Sequence, residues 1–453
     1  MGVSHACAHR VECRVESGRV QVADETDEFG VIECLAGLCD KSLVVVDPGE
    51  GDVRYRLLET ARAYALERLS DAGETAAVTR RHALHYRRFF AACCDDWTLL
   101  SDSAFRARYA PDLDSLRTAI AWSFGPDGDS EVAIALVGSA GQLWVSLSLY
   151  AEAERLAQRA LELVGPATPP ALEADLWSAV ARIYGQRNQQ ATIRAARRAA
   201  ELYRGLADSL RLGCALHAQG VAHAAERDEE AEAVLCEARP LLTRTGRPRL
   251  RAMAHSGMAV AHAAQGRPDD AMRETQAMLE LWRVAGAEGA TLRTFGTLAD
   301  QVWAKGELDR AIGLARDALE QHRQSPFSDS VARAYVSANL FGMLVERGDL
   351  AEAQAWGRQV LPELCELSIA HGWSDHYASY LARTGRGEAA VRLVGWADAL
   401  RLAKGLRRQP NEQRARDAAL ALARANDPAA DQARLLAAGA ALGEEEAHRL
   451  ALP

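Results

Sequence analysis

Lysine is almost missing from this chain. Lys41, Lys305 and Lys404 are the only three, so of 53 basic residues the other 50 are arginine. With abundant alanine, that is a GC-rich coding bias and carries no mechanism. No run of 18 or more apolar residues occurs, so no membrane-spanning helix is expected. The start, Met1-Gly2-Val3-Ser4-His5-Ala6, lacks the apolar core of a signal peptide. Ala6 also stands where an acylation signal needs Ser or Thr. A cytoplasmic protein is the expectation. The nine cysteines are odd in number and follow no framework, which predicts reduced thiols. A net charge of −9 argues against a chain whose main task is gripping nucleic acid. No G-x-x-x-x-G-K-[ST] phosphate loop exists. The nearest imitation, Gly37-Leu38-Cys39-Asp40-Lys41-Ser42, lacks the second glycine and precedes a hairpin instead of opening a helix after a strand. No cofactor is expected.

What the chain does have is a repeat. A Gly, an Ala five residues on and a small or aliphatic residue seven further recur as Gly266–Ala271–Met278, Gly306–Ala311–Ala318, Gly348–Ala353–Val360 and Gly385–Ala390–Ala397. Successive glycines lie 40, 42 and 37 residues apart. A period near 40 with helix formers on both sides of each glycine marks an array of helical hairpins. Glycine permits the tight turn. The alanine lets the partner helix approach, and the residue two turns later shares its face. Three degenerate copies precede the clean ones: Ala231 and Ala238 with Glu226 in the glycine place, then Ala191, then Ala153 with Ala160. Val221-Ala222-His223-Ala224-Ala225 returns as Val260-Ala261-His262-Ala263-Ala264. Such arrays are usually binding surfaces, not catalysts.

The organisation read from these patterns has five parts. Residues 1–29 form a poorly structured remnant with no sustained period. Residues 30–72 read as helix, hairpin, helix: Val31, Ile32, Leu35 and Leu38 at helical spacing, then Leu43-Val44-Val45-Val46, a turn over Asp47–Asp52, Arg54-Tyr55-Arg56-Leu57, and a helix with Leu58, Ala61, Ala65 and Leu69. That order is the second half of a winged-helix domain. Residues 73–128 form a helical connector, with Asp112 placed to cap a helix carrying Leu113, Leu116, Ile120 and Trp122. Residues 129–405 hold about seven hairpins, and residues 406–453 form a cap of two Ala-rich helices. The fold class is therefore mostly α: a partial winged-helix domain followed by a TPR-like α-solenoid.

The hairpin spacing resembles tetratricopeptide repeats, with a period longer than the usual 34 residues and most aromatic consensus positions absent. A more specific likeness lies upstream. Leu35-Ala36-Gly37-Leu38-Cys39-Asp40-Lys41-Ser42-Leu43 leads to Arg54-Tyr55-Arg56-Leu57-Leu58-Glu59-Thr60-Ala61-Arg62-Ala63-Tyr64-Ala65. This resembles the winged-helix segment of bacterial STAND (NB-ARC-type) predicted ATPases, the LuxR- or AfsR-like transcriptional regulators. The signature positions are Leu38, Lys41, Ser42, Leu43, Tyr55, Leu58, Glu59, Arg62 and Tyr64. Arg81-His82-Ala83 with Tyr86, Asp112-Leu113-Asp114-Ser115-Leu116-Arg117 with Ala121-Trp122, and Ala389-Ala390-Val391-Arg392-Leu393-Val394-Gly395 extend the likeness. It implies a regulator's carboxy-terminal portion lacking the ATPase core, whose winged helix clamps an ATPase domain in cis or in trans and whose repeats sense a ligand.

Other candidate sites read more simply as structure. His5, Cys7, His9 and Cys13 offer zinc-type ligands in no common finger spacing. His217, His223, His255 and His262 sit in consecutive repeats, where stacked helices would bring His223 near His262, and are read as interface histidines. His371 and His376 with Asp375 hint at acid–base chemistry without a nucleophile. Cys93-Cys94 reads as a half-buried helical pair. Lys41, Arg54, Arg56 and Arg62 could touch phosphate, but Asp47, Glu50 and Asp52 crowd the wing tip. The expected function is a non-enzymatic regulatory and protein-interaction module, binding a protein, peptide or small ligand in the repeat groove. The competing reading is a DNA-binding regulator acting through the winged helix.

Overall fold

The computed structural model describes residues 15–16, 19–20, 28–48, 53–226, 228–324, 330–366, 370–404, 408–427 and 431–452. The chain forms two compact units, one of Met1–Leu100 and Ala104–Leu241, the other of Ser101–Ser103 and Leu242–Pro453.

The first unit opens with the short antiparallel pair β1 (Val15–Glu16) and β2 (Arg19–Val20). Then come α1 (Glu28–Asp40), β3 (Val44–Pro48), β4 (Val53–Leu57) and α2 (Glu59–Asp71). The β-branched run does form a strand, since branched side chains suit a pleated surface. It pairs from Val44↔Leu57 to Pro48↔Val53, a ladder longer than the alternation predicts. Helix α1 ends with Ser42 at φ +55°, and the Leu43 N–H bonds to the Leu38 carbonyl at 3.0 Å. Ser42 thus takes the left-handed place usually given to glycine.

Helices α3 (Thr75–Phe90), α4 (Cys93–Leu99), α5 (Asp102–Tyr109) and α6 (Leu113–Ser123) form the connector. The Phe90–Tyr109 and Phe89–Phe90 rings meet at 5.5 and 5.1 Å in its core. Asp112 precedes α6 but makes no capping bond; instead it accepts the Tyr86 hydroxyl at 3.1 Å. The cap expectation fails because Asp112 is itself buried and its carboxylate turns to the buried Tyr86 phenol, which needs an acceptor.

Seven helical hairpins follow from Ser130 to Lys404. They are α7 (Ser130–Ser146) with α8 (Tyr150–Glu162), α9 (Pro170–Tyr184) with α10 (Gln189–Gly205), α11 (Ser209–Ala225) with α12 (Glu230–Thr243), α13 (Pro248–Ala264) with α14 (Pro268–Val284), α15 (Glu288–Ala304) with α16 (Leu308–Gln324), α17 (Ser330–Arg347) with α18 (Leu350–Glu366), and α19 (Ser374–Arg383) with α20 (Gly387–Lys404). The carboxy-terminal helices are α21 (Pro410–Asn426), α22 (Gln432–Ala440) and α23 (Glu444–Ala451). That is three helices where the sequence reading has two, because Asp431 caps a separate α22 by accepting the Arg434 N–H.

The four clean repeats share one turn. Gly266, Gly306, Gly348 and Gly385 have φ of +71°, +84°, +96° and +83°. After each glycine, the next N–H bonds back five residues: Arg267 to His262, Glu307 to Val302, Asp349 to Leu344 and Arg386 to Leu381. This is the Schellman helix end. A Cβ at any of these glycines would meet nothing within 4 Å, so backbone conformation and not space demands glycine. Ala271, Ala311, Ala353 and Ala390 each donate the first helical bond of the second helix and are buried. Met278, Ala318, Val360 and Ala397, two turns on, are buried as well.

Each unit has its own apolar core. The first centres on Phe90, Tyr109, Leu116 and Trp144. The second centres on Trp303, Phe341, Leu344 and Tyr377, with Phe341 stacked on Tyr377 at 4.2 Å.

Candidate functional site

The sequence-singled residues fall in several places. His5, Cys7, His9 and Cys13 lie outside the described residues. Lys41 is exposed in the turn that ends α1. A helix C-terminus presents carbonyls, so the Gly37–Ser42 stretch is the wrong end of a helix for phosphate. Leu38 and Tyr55 are half-buried, Glu59 is exposed, and Arg62 pairs with Glu59 at 3.5 Å. The side chains of Arg54 and Arg56 lie outside the described set. Among the described residues of this module, six large apolar side chains are exposed: Ile32, Leu43, Val45, Val46, Leu58 and Tyr64, the last at 65%.

The repeat histidines each meet a local environment. His223 is buried, with Nδ1 2.8 Å from Asp228, and His255 Nδ1 is 2.5 Å from Glu274. His223 and His262 fall in separate units. His217 lies on α11. Cys93 is buried and Cys94 donates to the Ser139 carbonyl at 3.4 Å. Burial pushes both thiols up from their ordinary value, the opposite of an activated thiolate. Among the described residues, no group of three or more His, Cys, Asp or Glu could hold a metal.

Asp375 and His376 do not pair with each other, and the side chain of His371 lies outside the described set. Asp375, on α19, is fully buried and faces arginines. Arg408 donates to both its oxygens at 2.8 and 2.9 Å, and Arg401 lies 3.5 Å away. Arg401 also meets Glu412 at 3.2 Å, and Arg408 and Arg416 meet Asp398 at 2.6 and 2.8 Å. This network ties α19 and α20 to α21. A carboxylate held by two guanidiniums is a structural anchor, since removing a partner would strand a buried charge.

His376, one residue on, is buried as well. Its ring lies 5.0 Å from the Trp303 ring, in a place that Gly342 keeps open. A Cβ at Gly342 would sit 2.7 Å from the Trp303 ring and 3.0 Å from that of His376. Burial, then the nearby Arg401 and Arg414, push the imidazole down to about 3, so it is neutral at neutral pH.

The ring of His376 lines a cleft of about 400 Å³. Three helices build it: α17 with Gly342, Val345 and Glu346; α19 with His376, Ser379 and Arg383; and α21 with Arg414, Ala415, Asp417 and Ala418. Helix α21 reaches across first helices. Asn411 donates to Asp300 of α15 at 2.6 Å, and Arg414 approaches the Trp303 carbonyl at 3.4 Å and Glu346 of α17 at 3.5 Å. Glu346 also accepts the Trp303 indole N–H at 2.7 Å. The unit thus brings its last first-helices and a carboxy-terminal helix to one pocket. Of the lining residues the sequence reading singled out His376 alone. The His376, Ser379 and Arg383 spacing of i, i+3, i+7 was the available signal for a shared helix face. Gly342 inside a helix was another, since such a glycine usually has a packing reason.

No protein-family model matches the chain. A stretch of 128 residues is 39% identical to a Mycobacterium tuberculosis protein provisionally named an HTH-type transcriptional regulator, taking in 28% of this chain and 14% of that protein. A stretch of 65 residues is 47% identical to an uncharacterized M. tuberculosis protein, taking in 14% of this chain and 16% of that one. The matched part of this chain therefore spans a small fraction of those relatives' length. Among solved structures, the chain is similar to a Signal Transduction ATPase with Numerous Domains (STAND) protein with a tetratricopeptide repeat sensor from Pyrococcus horikoshii. The TM-score is 0.54 at 15% identity, over 92% of this chain and 58% of that one. What that likeness shows is the fold: a mostly helical array of repeat hairpins. No helix among the described residues is long and apolar enough to cross a membrane.

Proposed function

We propose that this protein is a non-enzymatic, cytoplasmic regulatory module, the sensor and scaffold part of a LuxR- or AfsR-like transcriptional regulator related to STAND ATPases. Its repeat array binds a protein, peptide or small ligand. Its winged-helix module, residues 30–72, packs against a partner domain, an ATPase in cis or in trans. The observation that carries the reading is the cleft on the first-helix face of the second unit, walled by α17, α19 and α21. A concave, largely apolar pocket with a few polar groups is what recognition needs. The buried acid beside it, Asp375, is held by Arg401 and Arg408, which supports docking over catalysis. The exposed Leu43, Val45, Leu58 and Tyr64 support a domain-packing role for the first module, since a docked domain would take these large apolar side chains out of water.

The test is capture by the full chain of a panel of amidated peptides and of recombinant STAND ATPase domains, read by calorimetry and hydrogen exchange. Protection of α15, α17 and α19 by a bound partner is the expected result. Absence of binding to any member, by either the array or residues 30–72, would reject the reading. A second reading, DNA binding through residues 30–72, draws on the exposed Lys41 and on the relative's name. It predicts a sequence-specific mobility shift at physiological salt, where nonspecific contacts weaken steeply.

A further inference from the structure

Helix α19 carries three polar side chains on one stripe toward the cleft: His376, Ser379 and Arg383. His376 and Ser379 are 2% and 3% exposed. Among the described residues no hydrogen bond reaches the His376 ring or the Ser379 hydroxyl, and no carboxylate pairs with Arg383. With no partner among the described residues, both open on the same cavity and can bond to a molecule held there.

The lining carries two guanidiniums, Arg383 and Arg414, and two carboxylates, Glu346 and Asp417. Arg414 meets Glu346 at 3.5 Å, and Asp417 meets Arg416 at 3.2 Å. Among the described residues, that leaves Arg383 as the guanidinium of the lining with no carboxylate beside it. The opposite wall is hydrocarbon, from Val345 on α17 and Ala415 and Ala418 on α21. The first unit has a cleft too, beside Arg182 and Arg211, but its volume is about 40 Å³. There Arg211 already meets Asp208, Asp95 and Asp175 at 2.8, 3.4 and 3.5 Å.

We propose that the cleft between α17, α19 and α21 binds an aliphatic carboxylate, its oxygens held by Arg383, Ser379 and His376 and its hydrocarbon part against Val345, Ala415 and Ala418. A guanidinium at the rim supplies a charge-assisted contact. The Ser379 hydroxyl and the neutral imidazole each donate one hydrogen bond without adding charge. The carboxylate belongs to a peptide C-terminus or to a free short-chain acid; both present the same group. The inference rests on the docking reading above and assigns its ligand class.

Calorimetry on the full chain separates the sources with three probes: acetyl-Ala-Ala-Leu with a free C-terminus, the same peptide as its C-terminal amide, and 4-methylpentanoate. Saturable binding of a carboxylate probe, at least tenfold weaker for the amide, is the expected result, and whichever carboxylate binds names the source. Arg383→Gln is expected to weaken it at least tenfold and Ser379→Ala several-fold, while Arg383→Gln, at an exposed position, leaves the melting temperature in place. Ala418→Leu, which fills the pocket, should abolish binding. Equal binding of acid and amide, indifference to Arg383→Gln, or no binding of either carboxylate overturns the inference. If the amidated panel or an ATPase domain still protects the array in that last case, the docking reading survives; if nothing binds, both fall.

Discussion

His376 shows how one side chain is set by its surroundings. The unfolded imidazole titrates near ~6.5. In the fold it is buried against Trp303 with Arg401 and Arg414 nearby, and holds no proton until about pH 3. Between those values the unfolded chain binds a proton that the folded chain does not. Stability from this residue is therefore present above ~6.5 and is lost as the pH falls toward 3, at most about 1.4 kcal/mol per pH unit. Chemical denaturation from pH 7 to 4 should show this decline. His376→Gln, which cannot titrate, should flatten it; an unchanged slope would mean the ring is solvated and not buried as described.

Helix ends and helix crossings use glycine for different reasons, and the costs of replacing it differ accordingly. Gly306 closes α15 at φ +84° with open space around it. Gly306→Ala then meets only the left-handed backbone penalty, about 1 kcal/mol. Gly395 sits where α20 crosses α22. A Cβ there would lie 2.2 Å from the Leu436 carbonyl oxygen, and one at Gly439 would lie 2.0 Å from that of Arg392. Backbone cannot yield as a side-chain tip does, so Gly395→Ala should cost about 3 kcal/mol or more. Paired urea titrations check the ratio. Equal losses at both positions would refute the close crossing.

At the scale of the molecule, two apolar cores lie in two compact units. Repeat arrays lose strict all-or-none cooperativity when neighbouring blocks differ in stability. Leu116→Ala in the first core and Phe341→Ala in the second each empty a fully buried site, at about 2–5 and 3–5 kcal/mol. Each should shift one of two transitions followed by hydrogen exchange and leave the other in place. A single transition moved equally by both would show that the chain unfolds as one block.

The periodicity of this chain by itself determined that helices pair and where they turn. A left-handed turn demands glycine locally, and a close helix pair demands a small side chain at a set distance along it, so both requirements are written as spacing. The β-branched run over 43–46 and the acidic turn after it announced the hairpin by the same local logic. What Asp112 bonds to was not legible, because Tyr86 reaches it from 26 residues away. The cleft was not legible either. Val345, His376, Arg383 and Ala418 come from three helices whose order of packing no spacing records. Helix α21, by reaching past its neighbour to Asp300 and Glu346, made the wall of that cleft, and only the tertiary fold could place it there. Local backbone geometry is encoded residue by residue; which faces meet depends on burial summed over the whole chain.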